Sequence, residues 1–164
     1  MLIRLSFHDG AKELLTLREY DAELDDIGSL LNDLCHAFEG KGTFTISGFG
    51  QEVWPVDIGT DLSVALEQFP DLIKSIKSMQ PCELWLYEQG TERKLEFTPV
   101  NEMYKVRCKS DTTWQPNPDV EIINQSELLH QIIGCRDEFT RFCYLSSPSL
   151  KESPWFLEWL TQTR

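Results

Sequence analysis

The chain has 164 residues, with 27 Asp and Glu against 15 Lys and Arg, a formal net charge of −12, and a composition 41% hydrophobic and 26% charged. That is chain enough for one domain over residues 1–164, burying roughly two-thirds of its unfolded surface with no disulfide or metal staple. The composition excludes a disordered polymer, and so acidic a surface repels nucleic acid and anionic lipid while attracting a basic protein.

The five cysteines, Cys35, Cys82, Cys108, Cys135 and Cys143, are odd in number and scattered. They read as reduced thiols used as small core side chains, which predicts a cytoplasmic location. Met1–Phe7 is too short and too polar for a signal peptide, and no apolar run approaches the ~20 residues of a membrane span.

Leu2–Phe7 alternates as a strand. His8-Asp9-Gly10 is a turn signal, and Glu13–Leu17 is expected to return as its hairpin partner. An acidic stretch over residues 19–26 leads into a helix from Leu24 to Phe38, whose apolar face is Leu24, Ile27, Leu31, Leu34 and Phe38. Asp25 and Asp26 fall in its first turn, where the helix dipole favours them, and Gly40 and Gly42 end it. Thr43–Ser47 reads as a half-buried strand, Gly48-Phe49-Gly50 as a turn and Val53–Ile58 as the returning strand, with Pro55 arguing for an edge. Thr60 or Asp61 caps a second helix, which Pro70 should kink or end at Phe69.

Cys82–Glu88, Glu92–Thr98 and Glu102–Lys109 follow as strands. The last is the clearest, with Tyr104, Val106 and Cys108 on one face and Lys105, Arg107 and Lys109 on the other. Residues 110–119 read as a loop, with Trp114 a lid over the sheet edge. Asn124 and Glu127 have capping-box spacing for a helix reaching about Tyr144. Ser153-Pro154 opens a last short helix that packs Trp155, Phe156, Trp159 and Leu160 inward. Hairpin-linked strands separated by helices predict an α+β fold: a largely antiparallel sheet of about five to seven strands packed with three to four helices.

No constellation points to catalysis. His8, His36 and His130 have no metal-ligand spacing to the cysteines, and no CxxC or HxxxH occurs. There is no nucleophile elbow, and Ser47-Gly48-Phe49-Gly50 lacks the rest of a phosphate loop, so it reads as a turn. Glu52, Asp57 and Asp61 do not suggest the sugar-sized cleft that a carboxylate pair would need. The bases Arg93, Lys94, Lys105, Arg107 and Lys109 form a stripe without interleaved aromatics, since Tyr104 faces the other way. It reads as a solvated outer sheet face. The expectation is therefore a protein that is not an enzyme, with no metal, no cofactor and neither nucleic acid nor membrane as partner.

Two segments carry the binding expectation. Glu19, Tyr20, Asp21, Glu23, Asp25 and Asp26 surround an aromatic anchor with carboxylates that can steer a basic partner. Phe49, Glu52 and Trp54 form a second candidate at a strand turn, on the condition that the aromatics are exposed. The stretch Phe44–Gly50 through Trp54–Asp57 to Asp61-Leu62, with the closing Trp155–Leu160, resembles the small acidic immunity proteins that bacteria encode beside polymorphic or contact-dependent toxins. The resemblance lies in size, charge and layout. It implies a cytosolic protein that binds a toxin domain, often a basic nuclease, in a stoichiometric complex. Two other readings remain open: a structural or adaptor subunit with an apolar patch near Trp54 or Trp114, and a small-ligand binder or enzyme with a pocket between sheet and helices.

Overall fold

A computed structural model describes residues 1–8 and 14–164. Among them the elements run β1 (Leu2–Phe7), α1 (Ile27–Ala37), β2 (Gly42–Ser47), α2 (Asp61–Lys77), β3 (Cys82–Leu86), β4 (Arg93–Val100), β5 (Met103–Ser110), β6 (Val120–Asn124), α3 (Gln125–Ser146) and α4 (Pro154–Gln162). A 3-10 turn, Pro148–Glu152, precedes α4. The α+β class and the antiparallel pairing are as expected, but the strands form two sheets: a β1-β2 pair and a four-stranded meander in the order β3-β4-β5-β6.

The division has a physical cause at the free edge of β1. The amide of Ile3 donates to Gln131 Oε1 at 2.8 Å, that of Leu5 faces the Cys135 thiol, and that of Phe7 donates to Glu138 Oε1 at 3.1 Å. Steps of four and three along α3 match steps of two along the strand. The helix thus takes the place of a third strand and satisfies the edge with side chains. The expected partner strand is not formed. Asp9 and Gly10 of its turn and Glu13 lie outside the described residues, and Leu14–Leu17 is irregular chain, with the Leu15 amide donating to the Ser146 carbonyl at 2.7 Å.

The expected strand over Val53–Ile58 is also absent. The Trp54 amide donates to the Ile46 carbonyl at 2.9 Å, as a strand beginning on the open edge of β2 would. The ladder stops there: Val56, whose amide is the next that would face β2, makes no bond to Phe44, and the chain leaves the edge past Pro55. β6, by contrast, was not foreseen. It pairs with β5 from Met103↔Asn124 to Arg107↔Val120.

Helix α1 starts at Ile27, three residues later than expected. Asp26 is its N-cap, in a capping box with Ser29, and Leu24 is 85% exposed instead of joining the apolar face. Asn124 caps α3 by accepting from the Ser126 amide at 2.8 Å, with no reciprocal bond from Glu127. Helix α2 runs unbroken through Pro70. Proline withholds the N–H that the Leu66 carbonyl would otherwise accept. The Trp159 indole supplies the missing donor, Nε1 to Leu66 O at 3.0 Å, and so ties α4 to α2.

Both sheets bury one face in a continuous apolar core that includes Ile3, Leu5, Phe44 and Ile46 from the pair and Leu84, Leu95, Phe97, Tyr104 and Val106 from the meander. Glu121 on β6 links the two sheets: it accepts from the Met1 ammonium and from the Phe49 amide. All five cysteines are unpaired, and four are buried. Among the described residues no helix is long and apolar enough to cross a membrane.

Candidate partner-binding groove

The acidic segment is a closed turn braced from inside. The Asp25 amide donates to the Asp21 carbonyl at 2.7 Å, and the Asp21 amide returns a bond to Asp25 Oδ2 at 2.9 Å. Arg18 forks onto both oxygens of Asp25, at 2.9 and 2.6 Å, while its Nε donates to Asp33 Oδ2 at 2.7 Å. Hydrogen bonds from Arg18 and from the Asp21 backbone hold the Asp25 carboxyl down at about 2, and the two carboxylates keep Arg18 firmly protonated. Tyr20 lies under the Arg18 guanidinium, 4.4 Å from ring centre to Cζ, and donates to Asp33 Oδ2 at 3.1 Å. Burial, then that bond, raises the phenol's pKa.

These contacts sort the six expected residues. Asp25 and Asp26 are committed to the turn and the helix cap, and Tyr20 is committed to Arg18, Asp33 and an edge-on contact with Trp155 at 5.9 Å. Glu19, Asp21 and Glu23 are exposed. Between this turn and α4 lies a groove of about 350 Å³ lined by Ala22, Asp25, Asp26, Ile27, Trp155, Glu158, Trp159 and Gln162. Its floor is the half-buried Trp155 indole with Ile27, over Trp159, which is itself buried at 2% exposure; its rim carries three carboxylates, and Leu24 stands exposed on the turn beside it. A Lys or Arg side chain fits this chemistry, with the stem on the rings and the charge among the acids. Trp159 is core, as its spacing predicts; what the sequence does not show is that Trp155 and Glu158 of α4 line a groove with the acidic turn.

The second expected site is corrected. Phe49 and Trp54 are buried, at 0% and 2% exposure, so neither presents a surface to a partner, while Glu52 is exposed beside them. Trp54 is held because Arg93 stacks on it. The guanidinium carbon lies 4.5 Å from the Trp54 ring and 3.8 Å from the Trp114 ring, a cation between two π faces. Trp114 is thus a half-buried cover over Arg93. Asp61 is buried nearby, accepting from the Asp57 amide at 3.0 Å and from the Thr91 hydroxyl at 3.3 Å.

The basic stripe occupies the outer face of the meander at Lys94, Lys105, Arg107 and Lys109, where neighbouring acids answer it, but not at Arg93, which is buried against Trp54 and Trp114 on the inner face. Lys94 pairs with Glu83 at 2.6 Å, Lys109 with Glu96 at 2.5 Å and Arg107 with Asp119 at 3.6 Å. A second expectation about it fails, since an aromatic does share this face: Trp85 is 45% exposed, opposite Lys94 in the register. Among the described residues no cluster of three or more His, Cys, Asp or Glu could hold a metal ion. Comparison with known proteins finds no matching family model, curated protein or solved structure.

Proposed function

We propose that this chain is an immunity-type binding protein that neutralises a cognate toxin, a basic domain of nuclease character, in a stoichiometric complex. The observation that carries the reading is the groove beside α4. Carboxylates of Asp25, Asp26 and Glu158 surround an indole floor, next to the exposed Leu24. An acidic rim steers a basic partner, and an apolar floor retains it, because contact area and desolvated charge set the dissociation rate. Asp25 is preorganised by Arg18, so little ordering cost falls on binding.

The test is co-expression. The C-terminal domain of the protein encoded immediately upstream is produced with and without this chain, and growth is followed. Arrest that only this chain relieves supports the reading, and a chain carrying Glu23→Lys and Glu158→Lys should fail to relieve it. Arrest that persists with the wild-type chain, or an upstream domain that is harmless alone, counts against it.

A further inference from the structure

Among the described residues, the open edge of β2 is paired only at Ile46, where Trp54 bonds to it. On β1 the amides of Ile3, Leu5 and Phe7 point to α3, so their register partners Ile46, Phe44 and Gly42 turn their own amides and carbonyls away from β1. Of these outward groups, the Ile46 carbonyl accepts from Trp54. Among the described residues, nothing pairs with the outward N–H and C=O of Phe44. The chain that began to cover this edge departs at Pro55 and runs opposite it as Val56, Asp57 and Ile58. Between the two lies a cleft of about 440 Å³ lined by Glu39, Gly40, Gly42, Thr43, Phe44, Val56, Asp57 and Ile58.

We propose that this cleft takes an extended peptide segment from a protein partner, bearing at least one Lys or Arg, as a strand added to β2. The unpaired Phe44 groups select extended backbone, because a strand meets alternate amides and carbonyls at strand spacing. The charge of the segment follows from the walls. Glu39 and Asp57 contribute carboxylates; Glu39 Oε1 lies 2.8 Å from His36 Nδ1, and Asp57 Oδ1 accepts from the Thr60 amide at 2.6 Å. Val56–Ile58 wall the cleft opposite β2 and stand in the way of a second folded sheet, so the occupant is a single segment and not another copy of this chain. The site lies on β2, apart from the groove beside α4, and stands whether or not the neutralising function does.

The experiment uses the full chain and a probe peptide of about ten residues alternating valine and lysine, with the same peptide N-methylated at alternate amides as control. Amide chemical shifts of the protein are followed as peptide is added. The expected result is a saturable shift at Gly42, Phe44 and Ile46, weakened at least about tenfold by N-methylation, which removes the donors that a ladder needs. Glu39→Lys should weaken the plain peptide and leave Trp155 resonances unmoved. No shift at β2 with millimolar peptide, or equal binding of the N-methylated control, would overturn the proposal. So would protection of the Phe44 amide that rises with protein concentration alone, since that would place a second copy on the edge.

Discussion

Arg93 and Asp61 show what two misplaced charges do to a core. Arg93 is 2% exposed, and its Nε and Nη1 have no hydrogen-bond partner among the described residues; the same holds for Asp61 Oδ1. Desolvation lowers the Arg93 pKa, and desolvation raises that of Asp61 from 3.8 to about 6. Trp54 and Trp114 supply the cation with π faces in place of a bonded counter-ion. A carboxyl with a raised folded pKa binds its proton more tightly when folded. Through the window from about 6 down to about 4, acidification therefore adds stability on account of Asp61, and at neutral pH its charge is a cost. Asp61→Asn keeps an acceptor for the Asp57 amide and the Thr91 hydroxyl but carries no charge. It should stabilise the fold at neutral pH by ~1–2 kcal/mol, the gain fading as pH falls towards 4. Urea unfolding at several pH values measures this. A variant less stable than wild type at neutral pH would mean that attraction to Arg93 outweighs the cost of burial.

Among the elements, α2 and α4 depend on each other through one bond. Trp159→Phe keeps the ring packing but leaves the Leu66 carbonyl unpaired, at a cost of ~1–3 kcal/mol. In a Pro70→Ala background the restored N–H can serve that carbonyl, so the cost of Trp159→Phe should shrink by ~1 kcal/mol. Equal costs in both backgrounds, read from a double-mutant cycle of unfolding free energies, would show that the indole bond is incidental. The edge of β3 is managed in a similar way: Gln68 accepts from the Trp85 amide and donates to its carbonyl, both at 2.9 Å. Gln68→Ala should cost ~1 kcal/mol and expose a strand edge, read as concentration-dependent association in sedimentation. Such tertiary substitutions mark where the sequence stops being legible. β5 could be read because Tyr104, Val106 and Cys108 alternate with three bases, a local pattern. Pro70 forbids a helix locally, and only a residue 89 positions away explains the unbroken one. Val53–Ile58 has strand composition, yet it makes one hydrogen bond to β2, from Trp54, and leaves the edge past Pro55. Val120–Asn124 has little alternation of its own and is a strand because β5 offers it a register. Trp54 looked like a surface anchor because nothing nearby in sequence shows that Arg93 covers it.

The charge of the whole molecule acts on a partner in two separable ways. A net charge of −12 raises the encounter rate with any basic surface and is felt from a distance, so it weakens as salt rises. The carboxylates at the groove act only in contact. The sequence made the first effect plain from composition, and it located the acids of 19–26. It gave no sign that α4 brings Glu158, Trp155 and Trp159 to the same place, nor that Asp25 and Asp26 are already engaged by Arg18 and by the start of α1. Reversing Asp25 and Asp26 would therefore dismantle the turn and test nothing about binding. The informative pair is Glu23→Lys with Glu158→Lys, compared with Asp71→Lys and Glu102→Lys, which make the same change in net charge at exposed positions on α2 and the β4–β5 turn. Against a basic toxin domain both pairs should slow association in a salt-dependent way, the pair beside the groove more, because its charges lie nearer the contact. Glu158 is on the groove rim and Glu23 on the exposed turn beside it, so this pair alone should also speed dissociation, by about tenfold or more, because it removes attraction at the contact and adds like charge there. Stopped-flow association and surface-based dissociation at two salt concentrations separate the terms. Equal dissociation rates for the two pairs would leave the acidity of this chain as long-range steering alone and would move the contact surface away from α4.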